Sequence, residues 1–228
     1  MNHFLVSALA AFVFTGLAGI YFVLQKETTE RFFGLFWFNA ASWTLFVAIQ
    51  FQLQQWMSGF LWGLTLHLAC VFVPVIFLHF VLHLTQNRNK YSFALALAYF
   101  IAASFMFLDA FTPIFTGEII YRDAYTYPKP ALLYPLYILY FQIIGLWTLV
   151  LLLRLRKIVP SQAQKWLGLF LIVHILAYVG CMDNYLIMYD IQLFPLYPYG
   201  LYLLVPYAVL GSYAIFKFQA TRQNSITT

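Results

Sequence analysis

Tyr199-Gly-Leu-Tyr-Leu-Leu-Val-Pro-Tyr-Ala-Val-Leu-Gly-Ser-Tyr-Ala-Ile-Phe-Lys-Phe218 decides how this chain is read. The stretch holds one cation, Lys217, beside its end, and no acid. About twenty such residues cross the hydrocarbon core of a bilayer. An aromatic, proline-rich lead-in, Phe194-Pro-Leu-Tyr-Pro-Tyr-Gly200, runs into it, and a short, mostly polar tail, 219–228, follows. The rest of the chain has the same character. Of its 228 residues 64% are hydrophobic and 8% charged, with a mean hydropathy of +0.82. A soluble domain carries about a quarter charged residues, and so few cannot cover a water-facing surface. This is an integral membrane protein.

Six further stretches reach spanning length, roughly 4–25, 32–53, 61–86, 92–111, 132–154 and 166–188, and 199–218 is the last. The first is no signal peptide, because Phe4 is preceded by no Lys or Arg and the apolar run continues to Leu24. The expected fold is all-α: a seven-transmembrane-helix bundle over 1–218 and a short cytoplasmic tail over 219–228. Charge orients it. Lys26, Arg31, Arg88, Lys90, Arg154, Arg156, Lys157, Lys165, Lys217 and Arg222 fall on one side, and only Arg122 and Lys129 on the other. The positive-inside rule makes the first side cytoplasmic and the N-terminus external. The same rule accounts for the net charge of +5 without nucleic acid. Cys70 and Cys181 lie in apolar segments without CxxC spacing and read as packed thiols.

Ionisable groups inside a membrane are costly, so each one invites a functional reading. Asp109 lies near the outer end of the fourth segment, Asp183 and Asn184 near that of the sixth, and Asp190 just beyond. With Glu118, Tyr121 and Arg122 of the long 112–131 connection they are candidates for an outward-facing ligand vestibule. Loops of that length often serve as lids. The alternative is that all of them simply reach the water interface, the tyrosines anchoring a flap at headgroup level.

His79 and His174 stand at matching depth, each on the order of 10 Å from the cytoplasmic face at the rise of an α-helix. Two such histidines suit either the axial positions of a b-type haem or a buried polar pair. His79 and His83 also share a helix face, with no third metal ligand apparent, since His67 lies near the opposite face. Retinal needs a mid-helix Schiff-base lysine, and Lys217 stands at the edge. No nucleophile elbow, HExxH, P-loop or inverted repeat appears, so no enzymatic activity is expected. The aromatic load, 25 Phe, 17 Tyr and 6 Trp, is compatible with a carotenoid, chlorophyll or quinone.

Four stretches carry a family resemblance: Phe72-Val-Pro-Val-Ile-Phe-Leu-His-Phe80, the basic loop ending Gln164-Lys165, Pro195-Leu-Tyr-Pro-Tyr-Gly200 and Tyr213-Ala-Ile-Phe-Lys-Phe218. Together they resemble the seven-transmembrane N-terminal sensor region of bacterial histidine kinases. The chain departs from that pattern after Phe218, and the kinase domains have no counterpart in it. The resemblance therefore implies a sensor-type fold and not kinase activity. The expected function is a non-catalytic receptor-like module acting through a separate protein. Arg154, Arg156, Lys157, Lys165 and Lys217 are the expected cytoplasmic partner surface. The alternative is an accessory subunit of a larger complex, holding a pigment, quinone or haem. The expected location is a bacterial inner membrane or another energy-transducing membrane.

Overall fold

Backbone groups in lipid have no water to bond, so a spanning segment must satisfy them internally. The computed structural model describes residues 3–53, 67, 69–121, 126–191 and 199–227, and the apolar stretches within them are helical. Helix α1 (His3–Val23) turns at Leu24–Glu27 into α2 (Thr28–Leu53). The two pack closely because Gly34 has no side chain. A Cβ there would fall 2.6 Å from the Val23 nitrogen and 3.0 Å from the Gly19 carbonyl oxygen, which is the small-residue packing that membrane helices favour.

Of the expected 61–86 segment, the described part is His67 and Ala69 onward. The chain is helical at Ala69–Cys70, turns at Val71–Phe72 and resumes as α3 (Val73–Leu84). Pro74 sits in the first turn of α3, where its missing N–H costs nothing. Helix α4 (Ser92–Phe111) leads into an antiparallel hairpin of β1 (Thr116–Tyr121) and β2 (Thr126–Pro130). Thr116 pairs with Pro130 and Tyr121 with Thr126, the register shifting between Thr116 and Ile119. The helical bundle is as expected, and this short hairpin is an addition to it. Ile119, Ile120 and Tyr121 favour strand, and a two-stranded ribbon leaves outer edges where Pro128 and Pro130 need donate nothing.

Helix α5 (Tyr134–Ile158) and α6 (Ser161–Cys181) follow, with only Val159 and Pro160 between them. The expected basic loop is thus largely helical, because Arg, Leu and Lys are good helix formers and their long stems reach water from a helix end. A short α7 (Asp183–Met188) ends the hairpin-side connection. The last segment is α8 (Tyr199–Pro206), a π-helical turn (Tyr207–Gly211) and α9 (Ser212–Thr227). It carries the helix through most of the short polar stretch 219–228.

Among the described residues six helices are long and apolar enough to cross a bilayer, and Val73–Leu84 is a shorter apolar one. The molecule is a multi-pass helical membrane protein. Its core is aromatic: the Phe33 and Phe80 rings stack at 4.5 Å, and Trp37 meets Tyr207 at 4.8 Å. The outside is apolar too, with Phe93, Phe100 and Leu132 largely exposed, as suits a surface facing acyl chains.

Candidate functional site

The buried residues of α4 are Leu95, Ala98, Ala102 and Asp109, at the three-, four- and seven-residue steps of one helix face. That stripe turns Asp109 into the bundle. Its Oδ2 lies 3.1 Å from His67 Nδ1, and the two side chains are 1% and 3% exposed. Its Oδ1 accepts a hydrogen bond of 2.7 Å from the Thr116 hydroxyl at the start of the hairpin. A carboxylate this deep in a membrane protein needs a partner, and here it has two on separate elements.

Aromatic rings enclose the pair. Phe115, Tyr134 and Tyr137 surround the His67 ring, with centroids 5.3, 5.6 and 6.2 Å away. The Tyr134 hydroxyl donates to Met188 Sδ at 2.6 Å, and the Tyr137 and Tyr185 hydroxyls stand 3.5 Å apart. The chain before α3, α4, the hairpin, α5 and α7 therefore meet at one buried polar centre. Among the described residues His67 Nε2 has no hydrogen-bond partner.

The other expected vestibule residues have different partners. Asp183 accepts from the Tyr199 backbone N–H through Oδ2 and from Asn184 Nδ2, at 2.9 Å, through Oδ1. Asn184 Nδ2 also reaches the Cys181 carbonyl at 3.1 Å. This carboxylate holds the start of α8 to the end of α6, where a helix N-terminus favours negative charge. Asp190, in the left-handed region at φ 62°, accepts from the Tyr127 hydroxyl at 3.3 Å and so anchors the hairpin. Glu118 is exposed on β1. Tyr121 pairs with Thr126 through its backbone, and Arg122 lies outside the described residues.

The structure does not bring His79 and His174 into one site. Phe77 stacks on His174 at 4.4 Å, and two residues further along a helix His79 points another way. His79 Nδ1 lies 3.1 Å from the Tyr99 hydroxyl, and its ring rests 3.6 Å from that of Phe32. His174 Nδ1 lies 2.8 Å from the Tyr207 hydroxyl, with both residues buried. Shared axial ligation of one haem would need the two imidazoles to face a common space, so the structure corrects that expectation to two separate His–Tyr contacts. Among the described residues no group of three His, Cys, Asp or Glu is placed to hold a metal.

Tyr207 is also the first residue of the π turn. Pro206 before it supplies no N–H, and Gly211 makes room, since a Cβ there would lie 2.8 Å from the Tyr207 ring. At the other end of the bundle Arg154, Arg156, Lys157 and Lys165 are exposed on α5 and α6. The Lys217 ammonium lies over the Tyr213 ring at 5.6 Å. Arg222 donates to the Leu84 carbonyl at 3.1 Å, bringing α9 against the end of α3.

Sequence reasoning missed His67, Thr116 and Tyr207. For His67 the usable signal was depth, since it and Asp109 lie near the same end of their segments. For Tyr207 it was the Pro206-to-Gly211 spacing. Comparison with protein-family models, curated proteins and solved structures returned no match.

Proposed function

We propose that the chain is a seven-helix receptor-like membrane module without catalysis of its own, external at its hairpin end and cytoplasmic at its basic end. It takes its signal beneath the hairpin and passes it to a separate protein through the terminal helix. The observation that carries this reading is the Thr116–Asp109–His67 chain, which couples a surface hairpin to a buried polar pair. A ligand that lifted or closed the hairpin would change the partners of Asp109, and binding one arrangement better than the other would shift the population.

The π turn supplies an element with two registers. Closing it to α-helix turns everything beyond it by about 100° and moves it about 1.5 Å, and such turns are frequent at functional sites. Its first residue is pinned to α6 by the Tyr207–His174 hydrogen bond. The resemblance to kinase sensor regions supports the same direction of signalling, with a kinase or cyclase as the separate protein.

The test is a distance measurement in bilayers between spin labels at Arg88→Cys and Thr221→Cys, in a background lacking the native cysteines. Asp109→Asn and Thr116→Val are expected to move the α9 label by several Å, the displacement a register change produces. Identical distance distributions in the parent and both variants would sink the proposal.

One observation favours a second reading, an accessory subunit holding a pigment, quinone or haem. A shallow, open apolar depression bordered by Phe100, Ala103, Ser104, Phe107 and Leu108 lies on the outward side of α4. A mild-detergent pull-down with a visible spectrum separates the two. A colourless sample with a signalling enzyme supports the receptor, and a coloured multi-subunit assembly supports the subunit.

A further inference from the structure

The cations around the start of α6 have no acid close to them in the chain. No Asp or Glu occurs from residue 124 to 182 or after Asp190, while Arg154, Arg156, Lys157, Lys165 and Lys217 all do. The His67–Asp109 pair lies at the far end of the bundle. Lys165 and Lys217 have no carboxylate partner among the described residues. Yet these side chains are not scattered. The Lys217 ammonium rests over Tyr213, and the Tyr213 ring meets the edge of Trp166 at 5.6 Å. Lys165, one residue earlier, is exposed on a neighbouring face of α6.

Arg156 comes in from α5. A Cβ on Gly168 would lie 3.4 Å from its Nε and 3.5 Å from Nη2, so the bare glycine lets the guanidinium lie against α6, one turn from Lys165. Its Nε reaches the Gln164 carbonyl at 3.4 Å, and its terminal nitrogens have no partner among the described residues. Below these cations α6 presents an exposed apolar stripe, Ile172 at 59%, Leu176 at 55% and Val179 at 62%. The spacing from Lys165 through Gly168 keeps that stripe on one face.

We propose that Lys165 and Arg156 hold the phosphate of an anionic phospholipid, with its acyl chains along the α6 stripe and the Trp166–Tyr213–Lys217 group beside it at headgroup level. Three features select a lipid over other anions. The cations are unpaired, Trp and Tyr belong at the headgroup boundary, and the charged group is continuous with the acyl-facing stripe. Basic pockets between helix ends are a recurrent headgroup site. This inference does not depend on the receptor reading.

The test is native mass spectrometry and thermal melting of the detergent-purified protein. The additives are dioleoyl phosphatidylglycerol, dioleoyl phosphatidylcholine or inorganic phosphate. Phosphatidylglycerol alone is expected to bind and to raise the melting temperature. Lys165→Gln with Arg156→Gln should weaken its binding about thirtyfold, from the effect of each basic residue at an anionic surface. Lys165→Arg with Arg156→Lys should keep it. Lys90→Gln, which removes a cation set over Tyr91 on the α3–α4 turn, should leave it unchanged. Equal binding of phosphatidylcholine, or an undiminished response in the double Gln variant, overturns the proposal. Stabilisation by inorganic phosphate equal to that by the lipid would make this a free-phosphate site. Loss of a co-purified protein from the double Gln variant, with lipid binding intact, would make it a protein-docking surface.

Discussion

At the hairpin end, Asp109 and His67 are almost wholly buried and each is the other's polar partner. At the basic end, Arg154, Lys157 and Lys165 are exposed and have no carboxylate partner among the described residues. The same residue class is used for opposite purposes. A buried charge must be matched group by group, so it fixes the positions of the elements that supply its partners. An exposed charge is matched by water and counter-ions and fixes little. The hairpin end is therefore where geometry is specified, and the basic end is where binding surface is on offer.

The largest expected effect breaks the buried pair. Asp109→Ala leaves His67 Nδ1 and the Thr116 hydroxyl without their partner and should cost about 3–5 kcal/mol, read as a fall in detergent melting temperature. Asp109→Leu with His67→Leu should recover most of that loss, because neither half of the pair is left buried without the other. If the single substitution proves as mild as one at the basic end, the contrast between the ends fails.

Thr116→Val comes next. It removes the 2.7 Å hydrogen bond to Asp109 and should cost about 1.5–3 kcal/mol, the usual worth of a bond to a charged group. Hydrogen exchange sharpens the point. Protection should fall across β1 and β2 and stay unchanged in α1. A uniform fall would mean that the hydroxyl holds up the whole bundle rather than the hairpin alone.

Both substitutions concern residues whose depth could be read from the chain but whose direction could not. The lengths of the apolar runs place His67 and Asp109 near one end. Whether they meet depends on the angle of each around its helix. For Asp109 that angle follows the Leu95–Ala98–Ala102 stripe, which an all-apolar helix conceals because its lipid face is as apolar as its core. The same blindness paired His79 with His174, which share a depth and face different tyrosines. Apolar counting also stopped the fifth segment at Arg154 and the seventh at Phe218. The helices run on to Ile158 and Thr227, because a helix ends where its backbone bonds end and not where its side chains turn polar. The hairpin was hidden by Pro128 and Pro130, which argue against strand everywhere except on an edge.

The smallest expected effect lies at the basic end. Arg154→Gln with Lys157→Gln should change stability by no more than about 0.5 kcal/mol, the range of surface substitutions away from special features. Two opposing contributions keep the sum small. Lys157 stands in the last turn of α5, where a cation complements the helix dipole, so its loss is slightly unfavourable. Arg154 and Lys157 are three residues apart on the same helix, where like charges repel by a few tenths of a kcal/mol, so removing both is slightly favourable. Melting in detergent at low and high salt isolates the balance, since both contributions are screened. A large loss at low salt that vanished at high salt would show that these cations are matched by something, and the end of the bundle that looks unmatched would be as specified as the other.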